Sequence, residues 1–199
     1  MARKRRLKRF LINNYKKSWI YIKESKNFIF ITMGLFLLFA LFGFFIPAPA
    51  YISNQITNFI NQLLNQTSGL SMSQLISFIF LNNIKTSFFG WILGFFLGIF
   101  PAIVAIFNGY VVGFVSATSV KTNGILVLWK LFPHGIFELT AVFISLGMGM
   151  KLGFSFFIKK KGIFKRNFLE ALRVFISVVL PLLIIAAIIE GSLIFLLGH

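Results

Sequence analysis

The chain contains no cysteine and no aspartate, and its acidic complement is four glutamates in 199 residues. Without cysteine there is neither a disulfide framework nor a thiolate metal site. Without aspartate, and with no Gly-x-Ser-x-Gly element, a serine-type intramembrane enzyme would have to rely on Ser145 or Thr140 near His134. Histidine is almost as scarce, with only His134 and His199. Acid is so short that 20 Lys and Arg leave a formal net charge of +16. Such a surplus suits either nucleic acid or anionic lipid. No recognisable nucleic-acid-binding module accompanies it, and the basic residues stand beside apolar runs. Anionic headgroups are therefore the expected partner, and nucleic acid is not.

Apolar residues fill the chain instead: 58% are hydrophobic, 28 are Phe, and the mean hydropathy is +0.89. These values predict an all-α polytopic membrane helix bundle and not a soluble domain. Residues 1–27 read as a basic amphipathic segment on the cytoplasmic surface, with Leu7, Phe10, Leu11, Tyr15, Trp19 and Ile22 recurring at helical spacing. Residues 28–199 form the transmembrane domain. Its first span, Phe28–Ile46, carries no charge. The Ala48-Pro49-Ala50 sequence after it resembles a cleavage site, but the preceding apolar run is too long for a signal peptide, so the span is expected to be retained. Residues 51–67 alternate an apolar face with Asn54, Asn58, Asn61 and Asn65, which predicts an amphipathic helix with an uncharged polar face.

Charge bias sets the crossings. Lys159, Lys160, Lys161, Lys165 and Arg166 form a second basic cluster, expected inside with the N-terminus. The apolar stretch before Lys121 must then supply two spans, one from near Gln74 to Phe100 and one over Pro101–Ser119, or else two short tilted halves between Lys85 and Lys121. A fourth span covers about Trp129–Ile158 and a fifth about Val174–Leu197. Five spans place the protein in the cell membrane with its N-terminus inside and its C-terminus outside. Gly90, Gly94 and Gly98 recur every four residues, a spacing that brings helices close together. The stripe would serve packing inside the bundle or a homodimer.

Two ionisable groups stand close together in the fourth span, in Pro133-His134-Gly135-Ile136-Phe137-Glu138. Four residues is about one helical turn, so His134 and Glu138 share a face. Counting residues along the spans places Glu190 at a similar depth, with Asn83 nearby and Asn108 deeper. Polar groups at membrane depth are costly and mark candidate sites. Pro133 in a first helical turn would start the helix there.

These residues resemble the stage II sporulation protein M family of small membrane proteins. The resemblance rests on Asn82-Asn83 before a Gly-rich span, on Asn108-Gly109-Tyr110, on Pro133-His134-Gly135-Ile136-Phe137-Glu138, and on Ile189-Glu190-Gly191. It implies an all-helical membrane domain. It also implies a non-enzymatic scaffold or assembly role with membrane or cell-envelope protein partners, since the namesake acts in forespore engulfment beside a peptidoglycan-degrading pair. Relatives also occur in organisms that do not sporulate.

Read from its residues alone, the cluster leaves several chemistries open. His134, Glu138, Glu190 and the asparagines would satisfy one another as a structural network. One His and two Glu would also suit a divalent metal such as zinc, with room for water, although the second His of a zincin motif is missing. A small-solute or proton pathway is the third reading.

Overall fold

The computed structural model describes residues 2–126, 128 and 132–197, with the side chains of 2–5, 7–8, 10–11, 132–134 and 197 outside that set. Eight α-helices and no strand occur among the described residues: α1 (Ala2–Glu24), α2 (Lys26–Phe45), α3 (Ala50–Thr67), α4 (Met72–Ile92), α5 (Ile99–Asn123), α6 (Phe132–Phe154), α7 (Ile163–Val174) and α8 (Leu180–Leu197). Five segments are long and apolar enough to cross a membrane: Lys26–Phe45, Met72–Phe95, Ile99–Asn123, Gly135–Phe157 and Ile163–Leu196. The all-helical bundle expected from hydropathy is therefore present.

The apolar run before Lys121 holds two full spans and not two short halves. A 3₁₀ turn at Leu93–Phe95 ends the first, and Leu97 and Gly98 then take positive φ values of 54° and 72°. This reverses the chain so that α5 starts at Ile99, with Pro101 in its first turn, where a missing N–H costs nothing. At the start of α4, Ser71 and Gln74 form a capping box, the Ser71 N–H donating to Gln74 Oε1 at 2.9 Å.

Glycines set how closely the spans approach. Helices α2 and α5 run side by side, with Gly43 against the Tyr110 carbonyl, Gly109 against that of Phe36 and Gly113 against that of Ala40. At each position a Cβ would collide with the opposing backbone. Gly191 of α8 rests in the same way on Ile76 of α4. The stripe Gly90, Gly94 and Gly98 faces α6, meeting Leu146, Gly149 and Met150. Packing within the bundle thus occupies that stripe, and a second copy would have to use another surface.

The largest buried side chain, Trp91, lies between Phe168 and Phe175, its ring stacked on them at 5.5 Å and 5.4 Å. Phe175–Val179 forms a π-helical turn that joins α7 to α8 as one long span.

The basic N-terminal segment differs from a helix simply lying on a surface. The second half of α1 is built into the bundle against α7, with Ser18 and Tyr21 fully buried, as is Ser25 just after it. Sequence periodicity shows which face of α1 is apolar but not that protein, instead of lipid, covers it.

Candidate functional site

Helices α4, α6 and α8 bring polar side chains to a common cavity of about 310 Å³: Asn82 and Asn83 from α4, Glu138 from α6 and Glu190 from α8. Glu138 stands six residues into α6 and Glu190 seven residues before the end of α8. At 1.5 Å per residue both lie roughly 10 Å from the same end of the bundle. Helix α3 closes the cavity with Ile60, Leu63 and Leu64, while Leu75, Phe78 and Ile79 of α4 make its apolar wall. The Glu138 carboxyl neighbours both Asn83 and the Glu190 carboxyl. Asn83 is 7% exposed. Glu190 Oε2 is buried and has no hydrogen-bond partner among the described residues.

Close packing fixes these side chains in place. Gly191, next to Glu190, lets α8 touch the backbone of α4. One turn beyond the cavity, Ser145 Oγ of α6 donates to the Ser87 carbonyl of α4 at 2.6 Å. Ser145 is fully buried and Thr140 Oγ1 donates back to Ile136, so both hydroxyls considered as nucleophiles are engaged with backbone carbonyls.

The structure does not gather every expected residue. Asn108 of α5 lies outside this cavity, in a neighbouring groove between α4 and α5, and its Nδ2 donates to the Val104 carbonyl at 2.8 Å. Asn82 lines both spaces. Gly109 and Gly191 serve helix contact, whereas a Cβ at Gly135 would meet only the Leu139 side chain, at 4.0 Å. Helix α6 starts at Phe132, which puts Pro133 in its first turn. The side chains of Pro133 and His134 lie outside the described residues. Among the described residues no three His, Cys, Asp or Glu side chains come together as a metal-ligand set. The carboxyl pair with Asn83 supplies oxygen donors, which suit a hard cation or an ammonium group better than a thiophilic metal.

A second polar network, at the opposite end of the bundle, was not anticipated. Lys151 Nζ of α6 donates to Ser25 Oγ at 3.1 Å, pairs with Glu24 at 3.6 Å and sits 4.0 Å from the centroid of the Tyr21 ring. Arg166 of α7 also grips Glu24, with both carboxylate oxygens within 2.9 Å of its Nη2. Tyr21 donates to the Asn167 carbonyl at 3.1 Å, and Asn167 Nδ2 donates to Ser155 Oγ at 2.7 Å. Burial holds the Tyr21 phenol well above its ordinary range, so it stays neutral. This network ties α1 to α6 and α7 across more than a hundred residues of sequence. Only the basic cluster at Lys159–Arg166 hinted at it.

The fold and the cavity define an all-helical, multi-pass membrane protein whose polar groups converge beneath an amphipathic helix. The family model for stage II sporulation protein M matches residues 32–193, and the chain belongs to that family. No curated protein and no solved structure matches it.

Proposed function

We propose that this protein is a membrane scaffold or assembly factor, oriented with both basic clusters in the cytoplasm and α3 on the opposite surface. The observation that carries this reading is α3 itself. Its seven amide side chains, Asn54, Gln55, Asn58, Asn61, Gln62, Asn65 and Gln66, are all exposed. They form an uncharged hydrogen-bonding row held over the bundle by Ile56, Ile60 and Leu63. A surface of amides engages a partner by hydrogen bonds without the salt dependence of charge. The rigid glycine-packed bundle beneath it suits a platform better than a moving carrier. In this reading Asn83, Glu138 and Glu190 form an internal network that fixes the register of α4, α6 and α8.

One observation favours a second reading, a small-solute or cation site. Glu190 Oε2, without a hydrogen-bond partner among the described residues, borders a cavity that already holds a second carboxyl group. Proteoliposomes separate the two. The scaffold reading expects proton and cation flux no greater than that of empty vesicles, and a fall in melting temperature when Glu138 and Glu190 are both replaced by Leu. Flux that disappears in Glu190→Gln while the protein stays folded would overturn it in favour of the solute site.

A further inference from the structure

The uncovered faces of α2 and α8 are apolar along their middle turns, with Phe30, Leu38 and Leu41 on the first and Ile184 and Ile188 on the second. The groove between α4 and α5 differs, because it contains Lys85 together with Asn82 and Asn108. Lys85 is exposed and is the only charged residue between Lys26 and Lys121. It stands 13 residues from the start and ten from the end of the Met72–Phe95 span, roughly 20 Å and 15 Å along the helix. A hydrocarbon core is roughly 30 Å thick, so this ammonium lies near its centre, out of reach of headgroups on either side. A charge at that depth is costly and calls for a group of opposite sign.

The chain has no such group to offer. It has four glutamates. Glu24 and Glu170 are paired with Lys151, Arg166 and Arg173, and Glu138 and Glu190 face the carboxyl cavity. A second copy holds the same four in the same places, so the counter-charge belongs to a different molecule. The shape of the groove says which kind. Past the turn that joins them α4 and α5 diverge, α4 packing on α6 and α8 and α5 on α2. The gap of about 590 Å³ is walled by Asn82, Lys85 and Phe89 of α4 and by Ile103, Phe107 and Val111 of α5. Both sets recur at three- or four-residue spacing, so the gap runs along the helices for roughly two turns. A trough of that form receives one row of side chains from a third helix. Thr86 Oγ1 donates to the Asn82 carbonyl and Asn108 Nδ2 to that of Val104, which leaves Lys85 and the Asn82 amide as the donors facing it.

Taking the protein as a membrane scaffold, as above, we propose that this groove receives a transmembrane helix of a partner protein, and that the partner helix carries a Glu or Asp near its midpoint that pairs with Lys85. The carboxylate accepts from the Lys85 ammonium and the Asn82 amide, and apolar side chains one turn further along lie against Phe89, Ile103 and Phe107. Apolar helices gain little by meeting each other in lipid, whereas a helix that brings the missing charge neutralises Lys85 and is selected over one that does not.

The test uses the full chain in phosphatidylcholine vesicles, with a donor fluorophore on a single cysteine placed by Ile99→Cys, since the protein has none of its own. The probe is an acceptor-labelled polyleucine transmembrane peptide with one Glu at its centre, compared with the same peptide carrying Leu there. The Glu peptide should associate about tenfold more tightly, the scale of an interhelical polar contact between model peptides. Lys85→Leu should keep the fold, checked by its melting temperature, and make the two peptides equal. Lys85→Glu should reject the Glu peptide and accept one with a central Lys. Equal association of both peptides with the wild type, or a preference that survives Lys85→Leu, would overturn the proposal. So would energy transfer between two labelled copies of the protein that Lys85→Leu abolishes, which would give the groove to a second copy. The assay reads helix binding alone, so its failure is distinct from the flux that would overturn the scaffold reading.

Discussion

Gly94, in the 3₁₀ turn that ends α4, lies on Gly149 of α6 with no space between the two backbones, so that a Cβ on Gly94 would overlap the Gly149 carbonyl. This contact holds together the helices that carry Asn83 and Glu138. Gly94→Val should therefore destabilise the protein by about 1–3 kcal/mol, the usual cost of overpacking. Gly34 has nothing within 4 Å of the corresponding position, so Gly34→Ala should leave stability unchanged or raise it slightly through helix propensity. Thermal unfolding in detergent measures both, and a Gly94→Val protein that melts with the wild type would refute the contact.

Ser145 and Ser87 form a pair with opposite expectations. The Ser145 hydroxyl bonds across helices to the Ser87 carbonyl, and Ser145→Ala should cost roughly 0.6 kcal/mol, the average for such bonds inside membranes. The Ser87 hydroxyl is buried without a partner among the described residues, so Ser87→Ala should be neutral or stabilising. Equilibrium unfolding of the two variants side by side should show this difference in sign. Equal losses would mean that Ser87 Oγ has a partner after all.

Tyr21 gives a pH dependence with a defined sign. Burial raises its phenol above the ordinary value of 10.0 in the folded state. Below that value both states are neutral and Tyr21 adds no pH dependence. As pH rises past it, the unfolded phenol ionises while the buried one does not, and stability is lost. The wild type should therefore lose stability between about pH 9 and pH 11, and Tyr21→Phe should lose less over the same window. At neutral pH the variant should be weaker by about 1 kcal/mol, because its bond to the Asn167 carbonyl is gone. Parallel melting curves across that window would show that the phenol is not buried.

Much of this architecture was legible in the sequence, for identifiable reasons. The two spans around Pro101 follow from charge bias alone, because Lys159–Lys161 and the N-terminal segment must share a side. Counting residues from span ends placed Glu138 and Glu190 at one level, and they line one cavity. The same counting gives height along a helix but not the direction a side chain faces across the bundle. Asn108 therefore seemed to belong to the cluster, although α5 turns it toward the Lys85 groove. The glycine stripe showed that something must approach closely and not that α6 would be the partner. The α1 network was hidden because Tyr21, Ser25, Lys151 and Asn167 each look like ordinary interfacial residues until the fold brings them together.

The orientation proposed for the bundle can be tested directly because the chain has no cysteine of its own. Asn61 is exposed on α3, and Lys160 is exposed in the basic turn between α6 and α7. Asn61→Cys leaves the charge unchanged, and Lys160→Cys still leaves Lys159, Lys161, Lys165 and Arg166 to hold the charge bias on that side. A membrane-impermeant maleimide applied to intact cells should label Asn61→Cys at once and Lys160→Cys only after the membrane is opened. The reverse pattern would place α3 in the cytoplasm. The amide row would then face cytoplasmic partners.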